Sequence, residues 1–242
     1  MEGTTTRTTA TLVPVLSPDS IEIAGVSFMA DAAGALFLES DGLLVLADLH
    51  LEKGSSYATR RVFLPPYDTA ATLARVTALV ARYRPRTVIA LGDSFHDRRA
   101  AERIHYADRD MLRALQAGRD WIWIAGNHDP DPPRDLGGQA LETFSLGAIV
   151  FRHEPTQGVA RGEISGHLHP VARVVTPRGS LRRRCFASDG ERCVMPAFGA
   201  FAGGLNLRDA AFARLFGGRA PRAHVLGRDR VYAVADHHCH GD

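Results

Sequence analysis

Three segments, Leu43–Leu46, Thr87–Leu91 and Trp121-Ile122-Trp123-Ile124-Ala125, are apolar along their length rather than at every second residue. A strand can be apolar on both faces only where both faces are covered, so these segments predict central strands of a sheet buried between other layers. Cover for them is predicted between the strands. Leu73, Val76, Leu79 and Val80 fall at helical spacing within 68–83, with Asp68 as its cap, and a second helix is expected over 98–116, ending near Gly118. Shorter strands are expected at 21–23 and 35–38. From about 144 to 236 the chain changes character, with strand-like pieces at 149–151, 162–165, 172–175, 192–195 and 230–234 and one short helix around 209–216. Helices alternate with strands in the first half and strands crowd the second. The predicted fold is therefore α/β, with a two-sheet β-sandwich core flanked by helices, rather than one doubly wound sheet.

No Pro/Gly/Ser-rich linker divides the chain, and 242 residues with 45% hydrophobic content suffice for one core, so 19–236 is expected to be a single domain. Residues 1–18 are aperiodic and expected to be a disordered tail; 237–242, with His237-His238-Cys239-His240, are read as a flexible tail rather than a metal site. The 29 Lys+Arg against 27 Asp+Glu give +2, a balance that neither demands nor excludes nucleic acid. Arg carries nearly all the positive charge. A compositional Arg bias accounts for much of this, and the run Arg182-Arg183-Arg184 reads as a solvated hairpin face before it reads as a phosphate track. Cys185, Cys193 and Cys239 form no CxxC pair and no even set, which suits reduced thiols in a cytoplasmic protein. No apolar run reaches the roughly 18 to 20 residues of a membrane span, so no membrane association is expected.

Each buried run leads into metal-binding side chains. Asp48-Leu49-His50 follows the first, Gly92-Asp93 the second and Gly126-Asn127-His128-Asp129 the third; Gly166-His167-Leu168-His169 and the His153 of Phe151-Arg152-His153-Glu154-Pro155 follow later strands. Alternate residues of an extended segment point the same way, so Asp48 with His50, and His167 with His169, can each aim two donors into one space. Glycines 92, 126 and 166 let the chain turn off the sheet and let a ligand come close. A pair of divalent cations that hydrolyses phosphate esters needs mixed oxygen and imidazole donors with one shared carboxylate. Asp93, alone on a central strand between the paired clusters, is the natural bridge. This donor set suits Mn, Fe or Zn better than Ca or a thiolate zinc site. A single buried histidine is more often a hydrogen-bonded core group than a ligand; five clusters in order outweigh that reading. His96 and Asp97 are read as supporting or helix-capping groups, and Trp121 and Trp123, alternating with Ile122 and Ile124, as packing on both strand faces. Tyr57, Arg60 and Arg61 are candidate substrate contacts that nothing in the sequence promotes further.

In this order, Asp48-x-His50, Gly92-Asp93, Gly126-Asn127-His128-Asp129, His153 and Gly166-His167-x-His169 resemble the five signatures of the calcineurin-like binuclear metallophosphoesterases. The longer strings Ala47-Asp48-Leu49-His50-Leu51-Glu52-Lys53-Gly54, Leu91-Gly92-Asp93-Ser94-Phe95-His96-Asp97, Gly166-His167-Leu168-His169-Pro170 and Pro196-Ala197-Phe198-Gly199-Ala200-Phe201-Ala202-Gly203-Gly204-Leu205 are similar to one bacterial branch, the ligase-associated DNA damage response endonucleases. The resemblance runs from about 21 to 234, with one departure at Ala202, where a hydroxyl residue is expected. It implies one metal held by Asp48, His50, Asp93 and His169 and another held by Asp93, Asn127, His153 and His167, manganese first, with iron or zinc as alternatives. His128 would then be catalytic rather than a ligand, as general acid or stabiliser of developing charge, and Asp129 would either orient it or cap a turn. The implied activity is metal-dependent cleavage of DNA by an endonuclease in DNA repair, with a repair ligase, helicase and exonuclease as functional partners and a homodimer compatible with the sequence. Two rivals stand beside it: hydrolysis of a small phosphodiester such as a cyclic nucleotide, and a non-catalytic scaffold, whose mark would be missing ligands.

Overall fold

The computed structural model describes residues 19–131, 134–176 and 179–242; the expected N-terminal tail, 1–18, lies outside them. One sheet contains β1 (Ser20–Ile23), β2 (Val26–Ala30), β3 (Leu36–Leu38), β4 (Leu43–Leu46), β5 (Thr87–Leu91), β6 (Asp120–Ile124) and β7 (Gln139–Leu141), in that spatial order. The first four strands form an antiparallel meander, whereas β4 to β7 run parallel. Parallel neighbours require crossovers, and helices supply them. Helices α1 (Lys53–Thr59) and α2 (Asp68–Tyr83) join β4 to β5; α3 (Ala100–Arg103) and α4 (Tyr106–Gln116) join β5 to β6. The carboxyl ends of β4, β5 and β6 therefore open on one edge of the sheet, where a ligand site of an open α/β sheet belongs.

The second sheet contains β8 (Thr143–Leu146), β9 (Ile149–Arg152), β10 (Glu163–Ser165), β11 (Pro170–Thr176), β12 (Gly179–Ser188), β13 (Arg192–Val194), β14 (Leu205–Asn206), β15 (Arg222–Leu226), β16 (Val231–Val234) and β17 (Cys239–His240). Strands β9, β10 and β13 are parallel, so their carboxyl ends also share an edge. A short helix, α5 (Ala210–Leu215), lies between β14 and β15.

Side chains separate into three layers. Leu43, Val45, Ile89, Leu91, Ile122 and Ile124 meet Phe151, Ile164, Phe186, Cys193 and Met195 between the sheets. On the other face of the first sheet, Leu44, Leu46, Val88, Ala90, Trp121 and Trp123 pack against Leu73, Val76 and Leu79 of α2 and Leu112 and Leu115 of α4. Cys185, Val194 and Val225 cover the outside of the second sheet together with Phe212 and Leu215 of α5. The sandwich flanked by helices matches the predicted fold class, and the double-sided burial explains why the strands lack alternation.

Several elements differ from expectation. Strand β2 and helix α1 carry no clear periodic signal. The expected 98–116 helix is broken, because Ile104 (ψ 129°) and His105 (ψ 144°) are extended and the His105 ring caps α4 by accepting from the Ala107 N–H at 3.4 Å. Asp68 opens α2 without capping it; Tyr67 occupies the cap, and the Asp68 carboxylate accepts from the Gly54 N–H at 3.0 Å. The C-terminal residues, expected to be flexible, include β17, which pairs with β11 through Arg173 and His240 and buries Cys239. Among the described residues no helix is long and apolar enough to cross a membrane.

Arg192, 1% exposed, pairs with the buried Glu163 and donates to the carbonyls of Thr156, Gly158 and Leu215. It thereby ties the loop after β9 to the end of α5. Arg192→Ala leaves the buried Glu163 with only Arg152, whose Nε lies 3.5 Å away, and leaves three carbonyls without their donor. The expected cost is about 3–5 kcal/mol, measurable by denaturant unfolding of the two proteins side by side.

Candidate metal centre

The donor-bearing segments begin where the strands stop. Asp48 (φ 54°), His50 (φ 44°), Asp93 (φ 45°), His167 (φ 68°) and His169 (φ 47°) all occupy the left-handed region, although none is glycine. Each such residue costs on the order of 1–2 kcal/mol and persists only where its surroundings enforce it. Donors therefore converge for a different reason from the one the sequence suggested. Asp48 with His50, and His167 with His169, are not extended pairs; left-handed residues alternate with ordinary ones, and the chain advances in a stepped path that still throws both side chains inward. Backbone pairing carries this path, since the His50 N–H donates to the Asp93 carbonyl at 2.8 Å and the His96 N–H to the Leu51 carbonyl at 2.9 Å.

A loop from another part of the chain supports it from behind. The Phe198 N–H donates to the Ala47 carbonyl (2.8 Å), Gly199 N–H to Asp48 (3.0 Å) and Leu205 N–H to His169 (3.1 Å). Two arginines hold that loop by its own carbonyls. Arg184 donates to Gly199 (2.8 Å) and Ala202 (3.1 Å), and Arg75 donates to Phe198 (2.7 Å) while its guanidinium lies 4.2 Å over the Phe198 ring. The loop works through backbone atoms, so the missing hydroxyl at Ala202 is immaterial to this contact. Arg184 is thus not part of a solvated hairpin face, although Arg183 remains exposed.

The glycines serve closeness more than turning. Only Gly92 has a positive φ (73°), and a Cβ there would lie 2.3 Å from the His153 ring. At Gly126 a Cβ would stand 2.3 Å from Asp93 Oδ1, and at Gly166 it would stand 2.5 Å from Asp48 Oδ2. Gly166→Ala therefore introduces no backbone strain, yet it must displace a donor carboxylate. Metal affinity is expected to fall about 10–100-fold, as for loss of a group that orients a ligand, with calorimetric titration of Mn2+ as the measurement.

Two groups of donors result. Asp48 Oδ1 is 3.2 Å from His169 Nε2, which is 3.3 Å from His50 Nε2. Asn127 Oδ1 is 2.9 Å from His153 Nε2 and 3.0 Å from His167 Nδ1. Asp93 stands between them, with Oδ2 3.9 Å from His50 Nε2 and Oδ1 3.4 Å from His153 Nε2. The structure brings together all seven residues expected as ligands. Asp48, His50, Asp93 and His153 are buried, while Asn127 opens to solvent.

Electrostatics suit a cation. Burial, with His169 alongside, lowers the His50 pKa to about 2, which keeps its ring neutral and able to donate a lone pair. Burial opposes ionisation of both Asp93 and His153, yet their mutual contact outweighs it, taking Asp93 to about 2 and, with Asp48 assisting, His153 to about 9. Facing imidazole nitrogens at 3.3 Å, and an amide oxygen facing two more, form donor sets that a divalent cation satisfies.

His128 lies outside both groups, 41% exposed, with Nε2 3.9 Å from Asp93 Oδ2. Of the two roles expected for Asp129, orienting His128 or capping a turn, the geometry favours backbone support, since Asp129 is buried and accepts from the Phe95 N–H at 3.0 Å. Burial, assisted by Asp93, raises the Asp129 pKa to about 7. The carbonyl of His96 takes the orienting role, 2.8 Å from His128 Nδ1, a contact that an Nδ1–H satisfies. The His96 ring stacks on that of His128 (centroids 5.1 Å, 24°), so His96 sits on the wall of the centre rather than at a helix cap. His50, His96 and His128 also bring nitrogens close enough to form a third potential donor group.

A family model described as calcineurin-like phosphoesterase matches residues 43–189, a span that includes every one of these donors. The chain belongs to the calcineurin-like phosphoesterase family. Among solved structures, the crystal structure of Pseudomonas putida nuclease MPE is similar, with a TM-score of 0.68 and 31% sequence identity, covering 89% of this chain and 98% of that one. No curated protein matches the sequence. Family membership together with these donor groups makes the protein a metal-dependent phosphoester hydrolase.

Proposed function

We propose that this phosphoesterase is a binuclear phosphodiesterase that cuts DNA as an endonuclease in DNA repair. The observation that carries the two-metal reading is Asp93, whose two carboxylate oxygens face separate donor groups. One cation would be held by Asp48, His50, Asp93 and His169, and the other by Asp93, Asn127, His153 and His167. Manganese suits the mixture of carboxylate, amide and imidazole, with iron or zinc as alternatives. When bound, such a pair activates water and neutralises charge on the phosphoryl oxygens.

The chain's own residues then position and complete the reaction. Asp93 also accepts from the His128 N–H at 2.9 Å, which fixes the His128 backbone relative to the donors. With Nδ1–H committed to the His96 carbonyl, the Nε2 of His128 faces the centre, where the imidazolium form of the ring delivers its Nε2 proton to the departing oxygen and returns to the neutral Nδ1–H tautomer. The similarity to a nuclease supports a nucleic-acid substrate. A repair ligase, helicase and exonuclease remain the proposed functional partners, and three free, buried thiols accord with a cytoplasmic setting.

The test is to offer Mn-loaded protein both supercoiled plasmid and a chromogenic bis(aryl) phosphate. Nicking that EDTA abolishes and Mn2+ restores is the expected result. Hydrolysis of the small diester without any nicking would replace the nuclease reading with a small-molecule phosphodiesterase.

A further inference from the structure

Helix α1 and the loop after it project beside the metal centre with cations and aromatic rings that the rest of the fold does not use. The Tyr57 ring lies 5.7 Å from that of His96, which stacks on His128, so a row of rings leads outward from the reactive centre. Lys53 Nζ lies 5.9 Å over the Tyr57 ring. Beyond them come Arg60 and Arg61, then Val62 and Phe63, which are 49% and 83% exposed.

We propose that this segment is a strand-binding arm, in which Tyr57 and Phe63 stack on nucleobases while Lys53, Arg60 and Arg61 hold successive phosphates of a polynucleotide. The inference rests on the nuclease reading and deepens it by assigning the surface that would favour a polynucleotide over a small diester. Lys53, Arg60 and Arg61 make no ion pair among the described residues, whereas Arg82, Arg99, Arg103 and Arg109 nearby in sequence each meet a carboxylate. Unpaired cations interleaved with the half-buried Tyr57 and the exposed Phe63 form the surface that a nucleic-acid strand requires, because every base has a face to stack and every linkage a charge to meet.

The arm is also aimed. Arg61 adopts a left-handed φ of 60°, the Arg61 N–H donates to Ala58 (3.0 Å) and the Val62 N–H to Tyr57 (3.1 Å), which ends α1 and directs the chain outward. Arg103 anchors the helix by donating to Ser55 Oγ at 3.0 Å while it grips Asp97. A second copy of this chain would cover Phe63 equally well, but it would also bury unpaired arginines, and interface cores are depleted of charge. A polynucleotide accounts for both the rings and the cations.

The experiment compares the full Mn-loaded protein with R60A/R61A and with Phe63→Ala, using cleavage and anisotropy of a fluorescein-labelled oligodeoxythymidylate. A chromogenic diester, too short to reach these positions, reports separately on the metal centre. KM and Kd for the oligonucleotide should rise about tenfold or more for Phe63→Ala. For R60A/R61A the salt-dependence slope should fall by about 0.7 for each cation removed. Diester hydrolysis and metal content should stay at wild-type values in both. Unchanged oligonucleotide KM and salt slope would overturn the arm. So would equal loss of both activities, or a lowered oligomeric state on gel filtration with cleavage unchanged, which would assign the loop to a second copy. Wild-type protein that hydrolyses the diester but neither binds nor cuts the oligonucleotide would remove the nuclease reading itself, a result distinct from variants that cut as well as wild type.

Discussion

An Asp93→Gly substitution is expected to abolish hydrolysis while lowering the stability of the chelator-treated protein only modestly. Asp93 is buried, offers one oxygen to each donor group and accepts the His128 N–H, so its loss removes the carboxylate that stands between the groups and the register it sets. Charge stabilisation by metals of this kind amounts to several kcal/mol, so turnover should fall by on the order of 10³-fold or more, with metal content falling in parallel. Stability follows another balance. Asp93 sits at φ 45°, and glycine removes about 1–2 kcal/mol of left-handed strain. Against this stand the extra chain entropy of glycine, about 0.5–1 kcal/mol, and the lost hydrogen bond, about 1 kcal/mol. Those terms nearly cancel, which leaves the buried ion pair: Asp93 Oδ1 lies 3.4 Å from His153 Nε2 and helps hold that ring's pKa up at about 9, so at neutral pH its loss takes the nearer partner from a buried cation, although Asp48 stays 3.7 Å from His153 Nδ1. Denaturant unfolding in EDTA at neutral pH should therefore show the variant less stable by about 1–3 kcal/mol, and in Mn2+ the gap should widen because wild type gains stability by binding metal. Retained metal and activity would refute the role of Asp93; equal stability in EDTA would refute the ion-pair argument.

Left-handed geometry is the part of this centre that the sequence hides. The apolar runs β4, β5 and β6 are visible as central strands because burial on both faces leaves no room for alternation, and α2 is visible because Leu73, Val76, Leu79 and Val80 recur on one face. Donor identity is visible for a similar reason, since Asp48, His50, Asp93 and the others follow strand ends. Their conformation, by contrast, is imposed by partners distant in the chain. Arg75 reaches the Phe198 carbonyl across 123 positions, and the loop it steadies then grips Ala47, Asp48 and His169 by backbone hydrogen bonds. Backbone carbonyls leave no trace in residue types, which is also why the sequence offers Asp129 as a candidate to orient His128 and gives no sign of the His96 carbonyl. Helix α1 is hidden by its Gly54, Ser55 and Ser56. Tertiary contacts overrule those propensities, as the Gly54 N–H donates to Asp68 and the Glu52 N–H to Thr69 Oγ1 at 2.8 Å.

His128→Ala should separate chemistry from metal binding. Its Nδ1 is committed to the His96 carbonyl and its Nε2 stands 3.9 Å from Asp93 Oδ2, so no atom of the ring is needed to complete either donor group. Metal content should stay at the wild-type level. Cleavage of DNA, whose leaving alkoxide needs a proton, should slow by about 10²–10⁴-fold, the range of a positioned general acid. A bis(aryl) phosphate expels a stabilised phenolate that departs without one, so its hydrolysis should fall far less. The neighbouring Asn127→Ala should show the opposite division. Asn127 Oδ1 sits 2.9 Å from His153 Nε2 and 3.0 Å from His167 Nδ1, and its removal should lower metal occupancy and both activities together. Loss of metal on replacing His128 would instead make it a ligand through the group it forms with His50 and His96. An equal slowing of both substrates, with metal retained, would assign it to charge stabilisation at the phosphoryl oxygens rather than to protonation of the leaving group.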